Sequence, residues 1–567
     1  MDPSPITALS APPAGSYASF EALHEAVQGH AKAAGYAITI ASSKRKGRTM
    51  KILICKKGGC YRSEVDEPCR KRQRLTRKTN CPFRCKARER TDGTWDICFL
   101  QAEDGSIDTE SISHNHEPAD PSSFPEHRRL NEDDMALVRN NFSMCIPASR
   151  TVATLKNREH APEVNHRDIY NINAQIYRSS QHGLSTPQAF INYLTQQRAN
   201  GSVFFEYSQD ALGHLNYLFV ADTRSIELLN ESPDILLMDC TYKTNKFGMP
   251  LLDILGVDNL NSSFTIGYCF LDRENEQNYD KAVTHLKSLY LHNRHPSVIG
   301  TDCELALMNA IDRHFPHSET SRIICFWHIC KNLMVNCKAR FETEEWWKEF
   351  ERFFSDVVHS MTPEEHLDRV EEFKTEFNYN EGELHELPPA NSPGDLAQHT
   401  TKTLEQDAVR YALQQWLEPR HMNIVHAWTN QFFNRNTTTT SRLEGAHAVL
   451  KRWIGTPTKK LSSVWASIQL ALSDQINEIR IKRSRARDSL PAGISGELCY
   501  GVLGRISHFA LHETCKQVKY ARNEELRTRN GQSSICTGTF NKSMGMPCWH
   551  IIQERMSQNR GILTLGP

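Results

Sequence analysis

The chain has 567 residues, too many for one hydrophobic core, so three or four domains are expected. Hydrophobic residues make up 39% and charged residues 24%, as in globular proteins, and no apolar run approaches the roughly 18–20 residues of a membrane span, so a membrane partner is not expected. The net charge of zero hides a block, Ala41 to Arg90, in which 18 lysines and arginines face 4 acids; a surplus of 18 − 4 = 14 positive charges points to a polyanion, nucleic acid first.

Residues 1–19, rich in Pro, Ser and Ala, read as a disordered tail and lack the basic-then-apolar order of a signal peptide. With no secretory signal, the seventeen cysteines are expected as reduced thiols and metal ligands. Residues 20–118 read as a compact, basic, Cys-rich module. Cys55, Cys81, His114 and His116 could close a tetrahedral Zn²⁺ site, which a small basic domain needs as a staple. Their spacing is wide, and Cys60, Cys69, Cys85 and Cys98 are rival ligands. The stretch RKRQRLTRK supplies Arg70, Lys71, Arg72, Arg74, Arg77 and Lys78, suited to DNA phosphates and to nuclear import; the alternative is a disordered loop.

Residues 119–129 read as a linker and 130–200 as a small helical domain. From 201 to 341 the runs VFFEYS, LNYLFVAD, DILLMDC, PLLDILGVD, FTIGYCFLD, SVIGTD and RIICFW predict short strands, with a helix at Glu276–His292 between them; this is an α/β sheet domain. Helices replace strands over 342–436, where Thr362, Pro363 and Glu365 form a helix start. Residues 437–490 carry two more helices. Residues 491–567 end in a Cys/His cluster of Cys536, Cys548 and His550, with Cys515 as a candidate fourth ligand.

Asp239 lies inside the apolar strand ILLMDCTY, where an unpaired carboxylate is costly. It needs a hydrogen-bonding neighbour, a proton or a metal ion. Asp302 ends another apolar strand in SVIGTDCELALMNAI, and Glu444 opens a helix in TSRLEGAHAVLK. Carboxylates at adjacent strand ends make a seat for Mg²⁺. Each has a plainer reading: Asp302 as a helix N-cap, Glu444 as the partner of Ser441 in a capping box. Lys451, seven residues after Glu444, shares its helix face and could touch a phosphate or simply be solvated. Cys325 and His328, in CFWHICKNL, form a C-x2-H pair that in an apolar strand reads as core packing.

The motifs MDCTYKTNKFGMPLL, GTDCELALMNAI, CFWHICKNL and TTTTSRLEGAHAVLKRWI occur in the order seen in Mutator-like (MULE) transposases, and the resemblance covers Ile235 to Ile454. It implies a ribonuclease-H-like α/β core with a helical insertion, and an Asp-Asp-Glu triad at Asp239, Asp302 and Glu444 holding Mg²⁺ or Mn²⁺. It implies a nuclear DNA transposase acting on terminal inverted repeats and target duplex, as a homo-oligomer on DNA. The pattern CPF, GTW, HNH resembles the zinc-finger fold of WRKY-type and far-red-impaired-response (FAR) proteins, which picks out Cys55, Cys81, His114 and His116. Cys536, Cys548 and His550 resemble the end of a SWIM zinc finger, although Gly538 stands where that pattern has a second Cys. The resemblance marks Cys325 and His328 as a recurring motif without giving it a role. Two other readings stay open: a domesticated DNA-binding transcription regulator without catalysis, and a different Mg²⁺ nuclease on the same fold.

Overall fold

The computed structural model describes residues 9–46, 48–60, 76–181, 184–379, 401–437, 441–489, 501–502, 504–529 and 536–558. The chain divides into two compact units, 1–183 and 184–567.

The first unit holds an antiparallel sheet in the order β1-β5-β4-β3-β2: β1 (Ser16–Tyr17), β2 (Ile38–Lys46), β3 (Arg48–Cys55), β4 (Arg84–Glu89) and β5 (Trp95–Cys98). Alternate residues Leu53, Cys85, Ala87, Trp95 and Ile97 turn inward to meet Phe20, Leu23, Val27 and Ala31 of the helix Phe20–Ala34. That helix starts at the Ser19 cap and ends at Gly35, whose φ of 81° favours glycine. Part of the expected tail is ordered. Tyr17 pairs with Trp95, and Leu9, Ala11 and Tyr17 supply apolar surface that packs on this core. The expected linker is also tied down, with Phe124 buried and Arg128 gripping Asp168 through bonds of 2.7 and 3.1 Å. The helices Glu132–Ser143, Ala148–Lys156 and His166–Ser180 then share a core of Val138, Val152, Leu155 and Ile169. The fourth helix of the segment, Thr186–Ala199, belongs to the second unit.

The second unit is built on a seven-stranded sheet, order β12-β11-β8-β9-β10-β7-β6. Its strands are β6 (Val203–Gln209), β7 (Leu215–Asp222), β8 (Ile235–Thr241), β9 (Leu251–Val257), β10 (Ser263–Leu271), β11 (Val298–Thr301) and β12 (Ser321–Ile324). The pairs β8–β9, β9–β10, β10–β7 and β7–β6 are antiparallel, whereas β8–β11 and β11–β12 are parallel. Helices cover both faces. Leu236, Met238, Leu252 and Ile254 face the helices Thr223–Glu231, Glu276–Ser288 and Leu305–His314. Leu237, Leu255, Leu251 and Tyr268 face the opposite set, Thr186–Ala199, Ser441–Ile454 and Leu461–Asp488. Burial on both sides is why these strands read as unbroken apolar runs.

The last run, RIICFW, is only partly strand. β12 stops at Ile324, Cys325 caps the helix Phe326–Cys337, and Ile329, Leu333 and Cys337 bury at helical spacing. The helices Glu344–Val358, Pro363–Glu376, Thr401–Ala412 and Glu418–Ile424 follow, with a core of their own around Trp347, Phe350, Phe373 and Trp416. Thr362 caps the second of them, accepting from the Glu365 N–H at 3.1 Å. Among the described residues no helix is long and apolar enough to cross a membrane.

Gly256 of β9 lies under the buried ring of its cross-strand partner Phe264; an added Cβ would stand 2.4 Å from that ring. Gly256→Ala should therefore destabilise the second unit by about 1–3 kcal/mol through overpacking, read as a lower urea midpoint with an unchanged slope.

Candidate active site and metal centres

β8 and β11 run side by side with their carboxyl ends together, Thr301 opposite Met238. Asp239 is the next residue on β8 and Asp302 the next after β11, so the two acids occupy neighbouring strand ends. That is where open α/β sheets place their ligands. Asp302 is not the cap of the helix that follows; Glu304 is, its side chain accepting from the Ala306 N–H at 3.3 Å. Burial, and next the Asp302 carboxylate, push Asp239 up to about 7. Asp302 is also raised, chiefly by burial.

His328 stands on the first turn after β12, beside β11. Its interaction with the Cys325 thiol, with Asp239 and Asp302 adding to it, favours the protonated ring, and His328 in turn lowers both acids. The C-x2-H pair is thus part of this constellation, with the buried Cys325 also in the core. A further acid is Glu274, just after β10. Tyr242 and Tyr279 donate to its two oxygens at 2.7 and 2.8 Å, and its charge adds to the repulsion felt by Asp239 and Asp302. Searching for acids after strands, the signal that exposes Asp302, would also have found it.

Glu444 lies in the first turn of the helix Ser441–Ile454, and its exposed side chain contrasts with that of Leu443, buried against Leu237 and Leu255. The helix therefore docks directly over the strand that carries Asp239. The carboxylates of Asp239, Asp302 and Glu444 do not all three lie within 4.8 Å of one another. Lys451 is exposed on the same helix.

Among the described residues, two Cys/His clusters gather ligand atoms within 4.8 Å. In the first, Cys55 Sγ lies 3.3 Å from His116 Nε2, Cys81 Sγ 3.3 Å from His114 Nδ1, and the two ring nitrogens 3.3 Å from each other. A tetrahedral ion at ordinary Zn–S and Zn–N lengths sets S–N edges of about 3.5 Å and N–N edges of about 3.3 Å. The side chains thus stand as a tetrahedral zinc site requires. Contact with Cys55, and next His114, holds the Cys81 thiol well below the usual range; Cys55 is pushed up by Cys81 and by burial. The rivals Cys60, Cys85 and Cys98 stay outside this cluster, and Cys69 lies outside the described residues.

The second cluster is Cys536, Cys548 and His550, its two sulfurs 3.7 Å apart, against about 3.8 Å for two thiolates on one tetrahedral zinc. Cys515 does not join it.

The basic block divides in its roles. Arg70, Lys71, Arg72 and Arg74 lie outside the described residues. Arg77 and Lys78 donate to the Ser123 and Gly58 carbonyls at 2.6 and 2.7 Å, and Lys51 sits over the Phe20 ring. Arg84, Lys86 and Arg88 alternate with the buried Cys85 and Ala87 of β4, so they line the sheet face turned away from the helix Phe20–Ala34. These three lie outside the basic stretch RKRQRLTRK, and strand alternation across RCKARE is their signal in the sequence.

Residues 235–332 match the family model described as the MULE transposase domain. The chain carries a MULE transposase domain. The matched span holds Asp239, Asp302, Cys325 and His328, while Glu444 and both Cys/His clusters fall outside it. The chain is similar to the PKS-NRPS hybrid synthetase cheA of Chaetomium globosum, 24% identical over 96% of this chain and 12% of that protein. It is also similar to Protein FAR-RED IMPAIRED RESPONSE 1 of Arabidopsis thaliana, 21% identical over 55% of this chain and 38% of that protein. Protein FAR1-RELATED SEQUENCE 4 of the same plant is 24% identical over 60% of this chain and 44% of that protein. The chain thus spans less than half the length of each of these relatives.

Two outcomes follow from the MULE domain's acids and the first cluster. Asp239 holds its proton more tightly folded than unfolded, so the stability it contributes at acid pH is lost as pH rises through about 7. In a chelator, melting temperature should fall between about pH 5 and about pH 8, Asp239→Asn should flatten that fall, and Mg²⁺ should restore stability at the alkaline end. For the cluster, wild-type chain is expected to take up one zinc ion more than Cys81→Ser when both are titrated with Zn²⁺ and read by native mass spectrometry, and the substitution should lower the melting temperature of the first unit.

Proposed function

We propose that this protein is a DNA transposase of the Mutator-like class, cutting and joining DNA strands at terminal inverted repeats with a divalent metal. The observation that carries the reading is the placement of Asp239 and Asp302 at neighbouring parallel strand ends inside the MULE domain. The strand order β12-β11-β8-β9-β10, antiparallel on one side of β8 and parallel on the other, supports a ribonuclease-H-like core, with β7 and β6 added at its edge.

In this reading Asp239, Asp302 and Glu444 hold Mg²⁺ or Mn²⁺. Hard carboxylate oxygens suit such ions, and the mutual repulsion of the two aspartates is relieved by a cation. When bound, the metal supplies Lewis-acid activation of the attacking hydroxyl and stabilises the leaving oxygen. The chain itself has the remaining tasks. Asp239 and Asp302 are set at neighbouring strand ends by the sheet, so they would need little rearrangement to hold the ion. The helix Ser441–Ile454 presents Glu444 from the other side. His328, whose protonated form Cys325, Asp239 and Asp302 favour, stands beside the acids where that form suits a phosphate oxygen. Lys451, and Arg84, Lys86 and Arg88 of the first unit, meet the DNA backbone, and the basic stretch 70–78 adds phosphate contacts and a nuclear address. Zn²⁺ at both Cys/His clusters staples the flanking modules. A homo-oligomer on DNA, bringing two ends together, completes the reading.

A second reading is a domesticated DNA-binding regulator without catalysis, favoured by the similarity to the FAR-type plant proteins. Nicking of a plasmid that carries candidate terminal repeats separates the two. The transposase reading expects cleavage with Mg²⁺ or Mn²⁺ that falls at least about a hundredfold in Asp239→Asn, Asp302→Asn and Glu444→Gln, with DNA affinity retained. Binding without any cleavage by the wild-type chain would favour the regulator. Cleavage that survives Glu444→Gln would remove Glu444 from the triad.

A further inference from the structure

Asp253 of β9 is the antiparallel partner of Asp239, and the paired side chains share the sheet face covered by the helix Ser441–Ile454. Asp253 is 0% exposed, and neither carboxylate oxygen makes a hydrogen bond of normal geometry, the Ile254 backbone giving only a weak pull. Above it, His447 stands three residues after Glu444 on the same helix. It is 8% exposed, and its Nε2 also has no hydrogen-bond partner. Asp253 Oδ2 and His447 Nε2 are 3.7 Å apart. That gap is too narrow for a bridging water and is closed by a small rotation of either side chain.

Neither group can be explained as packing. A buried acid and a buried imidazole whose Nε2 is unsatisfied cost stability, and two apolar side chains would fill the space without that cost. Other groups on the elements around the pair cannot satisfy it. Asp239 on β8 makes no hydrogen bond to either Asp253 oxygen, and burial, with the Asp239 charge next, pushes Asp253 up to about 8. Tyr268, opposite Asp253 on β10, is committed to Thr265. Lys451, a turn beyond His447, repels a protonated ring.

We infer that Asp253 and His447 form a buried hydrogen-bonding latch that seats the Glu444 helix on β9, beside the strand carrying Asp239, making both positioning residues for the metal centre. The inference rests on the reading of Asp239, Asp302 and Glu444 as metal ligands. An apolar contact such as Leu443 on Leu237 and Leu255 fixes that the helix docks, but not its rotation or slide. A single directed bond beside Glu444 does fix them, because one geometry satisfies it. Outer residues of this kind orient metal ligands and change metal affinity by about 10–100-fold when removed.

The test is Mn²⁺ affinity of the full chain, measured by electron paramagnetic resonance of the free ion, together with its melting temperature. Asp253→Leu combined with His447→Phe should fold with undiminished melting temperature yet bind Mn²⁺ about tenfold more weakly, like Glu444→Gln. Adding Glu444→Gln to that pair should cost nothing further, since the carboxylate is already misplaced. Asp253→Asn, which can still bond to the imidazole, should keep affinity near wild type. His447→Leu alone, which removes one partner, should show the same loss as the pair. A folded pair variant with wild-type affinity, or one in which Glu444→Gln still exerts its full effect, overturns the latch and leaves the metal ligands standing. If Asp239→Asn and Glu444→Gln also leave Mn²⁺ affinity unchanged, the metal-site reading fails and the latch with it.

Discussion

Two carboxylates at the ends of neighbouring strands, largely out of water, repel each other unless a proton or a cation joins them. Asp239 and Asp302 are held in that conflict by the parallel pairing of β8 and β11, which the covering helices make rigid. Their surroundings do not resolve it. His328 offers a partial counter-charge, whereas Glu274, clamped by Tyr242 and Tyr279, adds to the negative potential. A protein that only needed a stable sheet would place leucine at these positions, so the cost points to a ligand of positive charge.

The rest of the second unit follows from keeping that pair in place while letting a third element approach it. The helical insertion builds its own core around Trp347, Phe350 and Trp416, so it can sit between Asp302 and Glu444 in sequence without opening the sheet. The chain then returns as the helix Ser441–Ile454 on the face that bears Asp239 and Asp253. The first unit carries a different burden. Its sheet packs a single small core against the helix Phe20–Ala34, and Cys55 and Cys81 of the Cys/His cluster are part of that core.

All seven strands of the second unit were legible as β-like runs, the central ones unbroken because helices bury both their faces, and Asp239 and Asp302 stood out as acids within or beside them. Glu444 was visible only as a helix-opening acid, and its exposed side chain gives it no comparable environmental signature. The Cys55, Cys81, His114 and His116 set needed a resemblance to choose it, since chain spacing does not reveal ligands that meet only after β3, β4 and the His-bearing loop converge. Asp253 was hidden in PLLDILGVD because its significance depends on strand register, which places it opposite Asp239. The turn from β12 into a helix at Phe326 was missed because FWHIC is apolar enough for either element; the buried Ile329, Leu333 and Cys337 decide it only as a longer helical series. The ordered residues 9–19 were missed because composition outweighed the three apolar side chains that anchor them.

The most direct test of the central claim is a crystal of the protein soaked in Mn²⁺ and read by anomalous scattering. The expected result is a peak about 2.1 Å from carboxylate oxygens of both Asp239 and Asp302, absent in Asp239→Asn crystals. A well-ordered sheet with both aspartates in place, and no anomalous density between them at saturating Mn²⁺, would contradict it.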